Sequence, residues 1–183
     1  MRVFLRHSAT VDPATVEAMQ GALMVTISHG ISTGALFLLI GMIYERRHTR
    51  LLADYGGLAS VMPLFAVALT IVALSSIGVP GTNGFVGEFL IFRGVFGLHP
   101  VAAAIATLGL LATALFLLTF WQRVFHGPRA GVTATAFADL NPIELATLLP
   151  LAVLMAVFGL FPGLLTGLFN PLITSWADHL TLP

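Results

Sequence analysis

Apolar residues run along this chain in long unbroken stretches rather than in alternation, and those stretches have the length of membrane crossings. A helix needs about 20 apolar residues to cross the hydrocarbon core of a bilayer. Four stretches meet or approach that length: Glu17 to Tyr44, Val61 to Val79, Val101 to Phe125 and Ile143 to Leu168. The first carries no charge between Met19 and Tyr44, although Gln20, Thr26, Ser28, His29, Ser32 and Thr33 make its first half polar. A shorter apolar piece, Phe85 to Leu98, lies between the second and third and holds Glu88 and Arg93.

That short piece decides the topology, because it either forms its own crossing or completes the one begun at Val61. Loops rich in Arg stay on the cytoplasmic side of a membrane. One such loop reads Glu45-Arg46-Arg47-His48-Thr49-Arg50, and another holds Arg123, His126 and Arg129. Loops 45–57 and 126–141 are therefore both expected to be cytoplasmic. They agree if Val61 to Leu98 is one crossing, broken at Gly78-Val79-Pro80-Gly81-Thr82-Asn83-Gly84, and disagree if it is two. The expected fold is all-α: a polytopic transmembrane helix bundle with about four crossings, one of them discontinuous near Pro80-Gly81, and the C-terminus outside. The two half-helices together exceed one membrane thickness, so they must tilt, overlap or protrude. Residues 1–16 lack the apolar core of a signal peptide and read as a polar leader. The transmembrane domain spans 17–168, and 169–183, with Trp176 among polar neighbours, reads as an interfacial tail.

Composition narrows the function further. Of 183 residues, 57% are hydrophobic and 9% charged, against roughly 25% charged in soluble domains. Eight Lys+Arg balance eight Asp+Glu, so the basic surface of a nucleic-acid binder is missing. Cys is absent, which excludes disulfides, thiolate metal sites, iron–sulfur clusters and a cysteine nucleophile in this chain. Lys is absent too, and all eight cations are Arg, so no Schiff base, P-loop lysine or lysine proton carrier is present. No glycine-rich nucleotide loop, metal-spaced His pair or Ser-His-Asp pattern occurs.

Glu88 is the sharpest candidate for chemistry. A carboxylate inside a membrane segment costs on the order of 2.5–3.5 kcal/mol and normally faces an interior or an aqueous path. Broken helices at membrane depth are how transporters build ion sites, and Thr82 or Asn83 is placed to cap the new half-helix. Glu88 lies about 15 Å from the helix end at Leu98, near the midplane. The helix N-terminus and burial act on its ionisation in opposite senses, which suits proton exchange. The plainer alternative is a Glu that pairs with an Arg or caps backbone. His29 is second: Thr26, Ser32 and Thr33 lie three and four residues away, building a polar stripe that can hold water and a titrating imidazole. Its alternative is an interhelical hydrogen bond beside a Gly30/Gly34 packing face. Arg93 is about 140° round the helix from Glu88, which disfavours pairing within the helix. It is expected to snorkel outward, with a neighbouring subunit as the other choice. Arg46, Arg47 and Arg50 read as topological signals, with Glu45 a local partner.

Two blocks carry a resemblance. His29-Gly30-Ile31-Ser32-Thr33-Gly34-Ala35-Leu36-Phe37-Leu38, running through Gly41 to Tyr44-Glu45-Arg46-Arg47-His48-Thr49-Arg50, is one. Gly78-Val79-Pro80-Gly81-Thr82-Asn83-Gly84-Phe85-Val86-Gly87-Glu88-Phe89 is the other. Together they resemble chain M of the bacterial proton-translocating NADH-quinone oxidoreductase, respiratory complex I, over about residue 15 to the end. The match corresponds to the last third or so of a full chain M, so a fragment, a split gene product or a misassigned start is expected. The resemblance implies an antiporter-like membrane-arm subunit without redox centres, in a bacterial inner membrane. NADH, FMN, iron–sulfur clusters and quinone belong to partner subunits, and other membrane-arm subunits and the lipid bilayer are the partners. It assigns Glu88 to the end of the central proton path and His29 to the hydrophilic axis. The Glu and Lys residues that load and relay the proton in a full chain M are missing here. Two alternatives stand beside this reading: a non-translocating structural fragment, and the membrane arm of a related oxidoreductase or hydrogenase that does not use NADH. A sodium antiporter fits less well, because such sisters usually carry Lys where Glu88 stands.

Overall fold

The computed structural model describes residues 12–128 and 138–180. Six α-helices follow one another, α1 (Pro13–Arg47), α2 (Pro63–Ile77), α3 (Asn83–Leu98), α4 (Pro100–His126), α5 (Pro142–Leu160) and α6 (Gly163–Leu180), with two 3-10 turns between α1 and α2 at Leu52–Asp54 and Leu58–Ser60. No strand occurs among the described residues. Four helices start at a proline, Pro13, Pro63, Pro100 and Pro142, where the missing N–H is one the helix could not pair in any case.

Three helices, α1, α4 and α5, are each long and apolar enough to cross a membrane. At 15 and 16 residues, α2 and α3 are each too short. They run end to end against α1. From one end to the other, Ser32 of α1 meets Ser75, Ser28 meets Asn83, Gly21 meets Gly87 and Ile91, and Ala14 and Ala18 meet Gly94. The pair is thus one discontinuous crossing antiparallel to α1, as the charge of the loops required. The half-helices neither overlap nor fold back, and α1 matches their extra length with 35 residues, about 52 Å.

Glycine sets the closeness of this contact. A Cβ on Gly21 would lie 2.8 Å from the Gly87 carbonyl oxygen, and one on Gly87 would lie 2.8 Å from the Val25 amide. Backbone therefore packs on backbone, the small-residue approach that drives helix association in lipid. Returning antiparallel to the broken crossing, α4 sets Phe125 edge-on against Phe65 and donates the Trp121 indole N–H to Thr70 at 2.8 Å. Its other side stays open: Val101, Ile105, Leu108 and Leu115 are all at least 60% exposed, an apolar face of the kind that lipid or a neighbouring apolar surface covers. The ends of α1 and α4 and the starts of α2 and α5 gather at one end of the bundle, so the two Arg-bearing loops share a side. Arg129 of the second loop lies outside the described residues.

Two boundaries differ from expectation. Residues 13–16, placed in the polar leader, are the first turn of α1. Asp12 caps that turn by accepting from the Ala14 N–H at 2.9 Å, a start signal of a short polar residue before proline; residues 1–11 lie outside the described part. The helix at the other end does not stop at Leu168 but continues to Leu180 through Pro171. Ile173 is fully buried and Asn170 accepts from Gln20 of α1, so this part of the expected tail packs against the bundle while Trp176 stays exposed.

Candidate functional site

The break between α2 and α3 is a built structure. Gly78, at φ 76°, ends α2 in the left-handed conformation, with its own N–H bonded to the Ser75 carbonyl (3.3 Å) and the Val79 N–H to the Leu74 carbonyl (3.1 Å). This Schellman arrangement satisfies carbonyls that lipid could not. Gly81, at φ 94°, makes the second bend, and Gly159 of α5 lies so close to Gly81 and Thr82 that a Cβ there would strike their backbone.

Capping follows neither expected form. Thr82 stands at the N-cap, but its hydroxyl donates to the Val79 carbonyl at 2.7 Å and caps nothing. Asn83, fully buried, instead joins three helices. Its side-chain oxygen accepts from Ser75, its amide nitrogen donates to the Ser28 carbonyl (3.4 Å), and its own carbonyl accepts from the Ser28 hydroxyl (3.0 Å). Ser32 completes the chain at 2.9 Å from Ser75. A break buried among helices has to be satisfied by side chains from its neighbours, and a two-ended amide does this better than a hydroxyl.

One turn further on, the Glu88 carboxyl lies against Gly78, so closely that a side chain there would collide with it. Glu88 forms no ion pair with the described residues. It faces a cavity of about 280 Å³, and His29 lines the same cavity from α1. The two residues singled out in the sequence thus share one chamber. His29 stands at its exposed edge with the Thr33 hydroxyl 3.3 Å from each ring nitrogen. Ser76 of α2 and Thr113 of α4 add hydroxyls. Each donates to its own helix, at 2.9 and 3.1 Å, which leaves its oxygen free to accept from water. The polar stripe of α1 divides: Ser32 turns to the buried network, Thr33 to His29, and Thr26 back onto the Ala22 carbonyl. Gly30 and Gly34 pack against nothing described, so the packing face expected there is open.

Arg93, though its side chain is 62% exposed, has a partner not foreseen: its Nε lies 3.2 Å from Glu17 of α1, which sequence spacing did not suggest because it sits in the crossing before. Arg46 departs further from its expected role. Its Nη atoms grip Glu144 of α5 at 2.8 and 2.7 Å and also donate to the Met42 and Asp139 carbonyls (2.7 and 3.2 Å), while Nε donates to the Ala138 carbonyl (2.8 Å). Glu144 in turn completes a capping box with Asn141. Asp139 accepts from the Leu64 and Phe65 N–H groups (2.8 and 3.0 Å), capping α2 from a distant loop.

Sequence reasoning passed over Ser75. A hydroxyl in an apolar helix normally bonds the carbonyl four residues back, as Thr70, Thr107, Thr119 and Thr147 do here. Nothing local marks Ser75 as the exception.

These features define a polytopic membrane protein with a discontinuous helix and, beside the break, a carboxyl with no ion pair among the described residues. The family described as NADH:quinone oxidoreductase/Mrp antiporter, transmembrane, matches residues 7–115, and the chain belongs to that family. It is 39% identical over 156 residues to NADH-quinone oxidoreductase subunit M of Rickettsia typhi, covering 85% of this chain and 32% of that protein. The subunit of the same name from Pseudomonas aeruginosa is 41% identical over 145 residues, covering 79% and 28%. Among solved structures, a chain of respiratory complex I from Thermus thermophilus with bound NADH superposes with a TM-score of 0.82 at 36% identity, covering 90% of this chain and 34% of that one. The chain therefore spans about a third of the length of the relatives it matches.

Proposed function

We propose that the chain is a membrane-arm component of a proton-translocating NADH-quinone oxidoreductase and that its Glu88–His29 cavity forms the outward portion of a proton path. One observation carries this reading: a carboxyl and an imidazole from different helices open onto one hydroxyl-lined chamber at a helix break. A carboxylate with no fixed cation partner can take up a proton and release it again. Water in the chamber carries the proton between Glu88 and His29, and His29 at the exposed edge passes it on. NADH, flavin, iron–sulfur clusters and quinone stay in partner subunits, so this chain performs no redox step. The Arg-bearing end faces the cytoplasm of a bacterial inner membrane, which directs α3 and its Glu88 toward the outer side.

Glu88→Gln in the assembled oxidoreductase tests this. Quinone-linked NADH oxidation and proton uptake into vesicles are read together; proton transfer is expected to fall at least about tenfold, a barrier change near 1.4 kcal/mol, while Glu88→Asp keeps most of it. Unchanged pumping with Gln would overturn the role of Glu88. Native electrophoresis of membranes checks the partners: co-migration with the other membrane-arm subunits is expected, and its absence would leave a chain that does not translocate.

A further inference from the structure

The end of the bundle that carries Arg46, Arg47 and Arg50 holds a second cavity, of about 610 Å³. Its deeper wall is hydrocarbon: Ile40 of α1, Phe65 and Leu69 of α2, and Phe120 of α4. Its mouth is polar, lined by Tyr44, Arg50 and Tyr55. The change happens over the roughly 10 Å of helix rise between Phe37 and Tyr44, the depth over which a membrane passes from acyl chain to headgroup. Both tyrosines of the chain stand at this mouth, where amphipathic rings settle at the membrane interface.

Arg50 is the available cation there. Its guanidinium lies 5.4 Å from the centre of the Tyr44 ring, which orients it without using its N–H donors, and it forms no ion pair with the described residues. The carboxylate of Asp54 nearby is taken by the Thr49 hydroxyl at 2.7 Å. The Tyr55 hydroxyl donates to the Thr49 carbonyl at 2.7 Å, and burial pushes its pKa up, so it stays neutral. Arg46 has every donor engaged. A third cavity, of about 380 Å³ between α3 and α4, also has an arginine at its rim. That residue is Arg93, already paired with Glu17, whereas the cavity at Arg50 joins an apolar slot to a guanidinium with no ion pair among the described residues.

We propose that this cavity binds an anionic phospholipid of the leaflet facing the arginine loops, with one acyl chain in the apolar slot and the headgroup phosphate on Arg50. Guanidinium presents a planar fork that matches phosphate oxygens, and basic pockets between transmembrane helices on the cytoplasmic side select anionic headgroups in this way.

Native mass spectrometry of the purified full chain, stripped of lipid and titrated with phosphatidylglycerol or phosphatidylcholine, reads the bound molecule by mass. Phosphatidylglycerol is expected to be retained about five- to tenfold better than phosphatidylcholine, the effect of about one cationic contact near a membrane surface. Arg50→Gln should erase the preference and Arg50→Lys keep part of it. Gly41, whose Cβ position is open and which lines the slot, gives the second variant: Gly41→Phe fills the apolar part and should weaken both lipids, with helix content by circular dichroism unchanged. Equal retention of the two lipids, a preference that survives Arg50→Gln, or binding indifferent to Gly41→Phe would each overturn the proposal. So would a lipid-independent dimer mass that Gly41→Phe abolishes, since a second copy would then occupy the slot. None of these outcomes bears on Glu88, which lines a different cavity.

Discussion

At one end of the bundle Arg46 has all five donors engaged, two by Glu144 and three by the carbonyls of Met42, Ala138 and Asp139; midway down, the Glu88 carboxyl rests on Gly78 with a cavity in front of it. Both charges sit on apolar helices, yet the surroundings engage the first fully and leave the second facing open space. A guanidinium gripped from five directions has no second state of similar energy, so it ties α1 to α5 and to the loop before it. A carboxyl with no ion pair among the described residues is left facing an open chamber. Full satisfaction at Arg46 marks a structural joint, and its absence at Glu88 is what the proposed proton path rests on.

Removing the guanidinium is the severest way to break this comparison. Arg46→Ala leaves Glu144, a side chain only 15% exposed, without its cation, and such losses cost about 3–5 kcal/mol. Thermal unfolding in detergent should show that drop, and a loss under about 1 kcal/mol would mean the pair behaves as an exposed surface bridge. Glu88→Gln, in contrast, should leave the unfolding midpoint nearly unchanged while proton transfer fails. Next in size is Asn83→Ala, which strips partners from Ser75 and Ser28 and should cost about 1–3 kcal/mol; a neutral result would mean water replaces the amide. Gly78→Ala forces a side chain into a left-handed residue and onto the Glu88 carboxyl, for about 1–2 kcal/mol together with reduced proton transfer. Shortening the acid sharpens that test: in a Glu88→Asp background the activity penalty of Gly78→Ala should shrink, and an undiminished penalty would rule out their contact as its cause. Smallest is Asp139→Asn, expected to lower stability by about 0.5–1 kcal/mol through the weakened cap on α2, with pumping unchanged.

The parts of this molecule that were legible in the sequence share a local cause. A charge in an apolar run, a Pro-Gly break, and loops rich in Arg each announce themselves within a few residues, so Glu88, the discontinuous crossing and the common side of the two loops could be read directly. His29 was legible through the hydroxyls at three and four residues from it. The rest depends on residues far apart in the chain. Arg46 finds Glu144 98 residues away, Asp139 takes the Leu64 N–H at the start of α2, 75 residues earlier, and Arg93 meets a Glu of the helix before its own crossing. Asn83 escaped because its position suggested a cap, while burial turned its side chain to two other helices. Asp12-Pro13 is a helix start signal set within a polar stretch, so polarity alone hides the first turn of α1.

The shortness of α2 and α3 also bears on how the chain enters the bilayer. Neither half, at 15 and 16 residues, is long enough to be recognised as a membrane segment by itself, and α3 carries two charges that each add on the order of 2.5–3.5 kcal/mol to insertion. With α1 already in place the balance changes: Glu17 neutralises Arg93, Ser28 receives Asn83, and the glycine faces close without side chains in the way. The order of synthesis suits that dependence, since α1 precedes α2 and α3 in the chain and its partner groups are made before theirs.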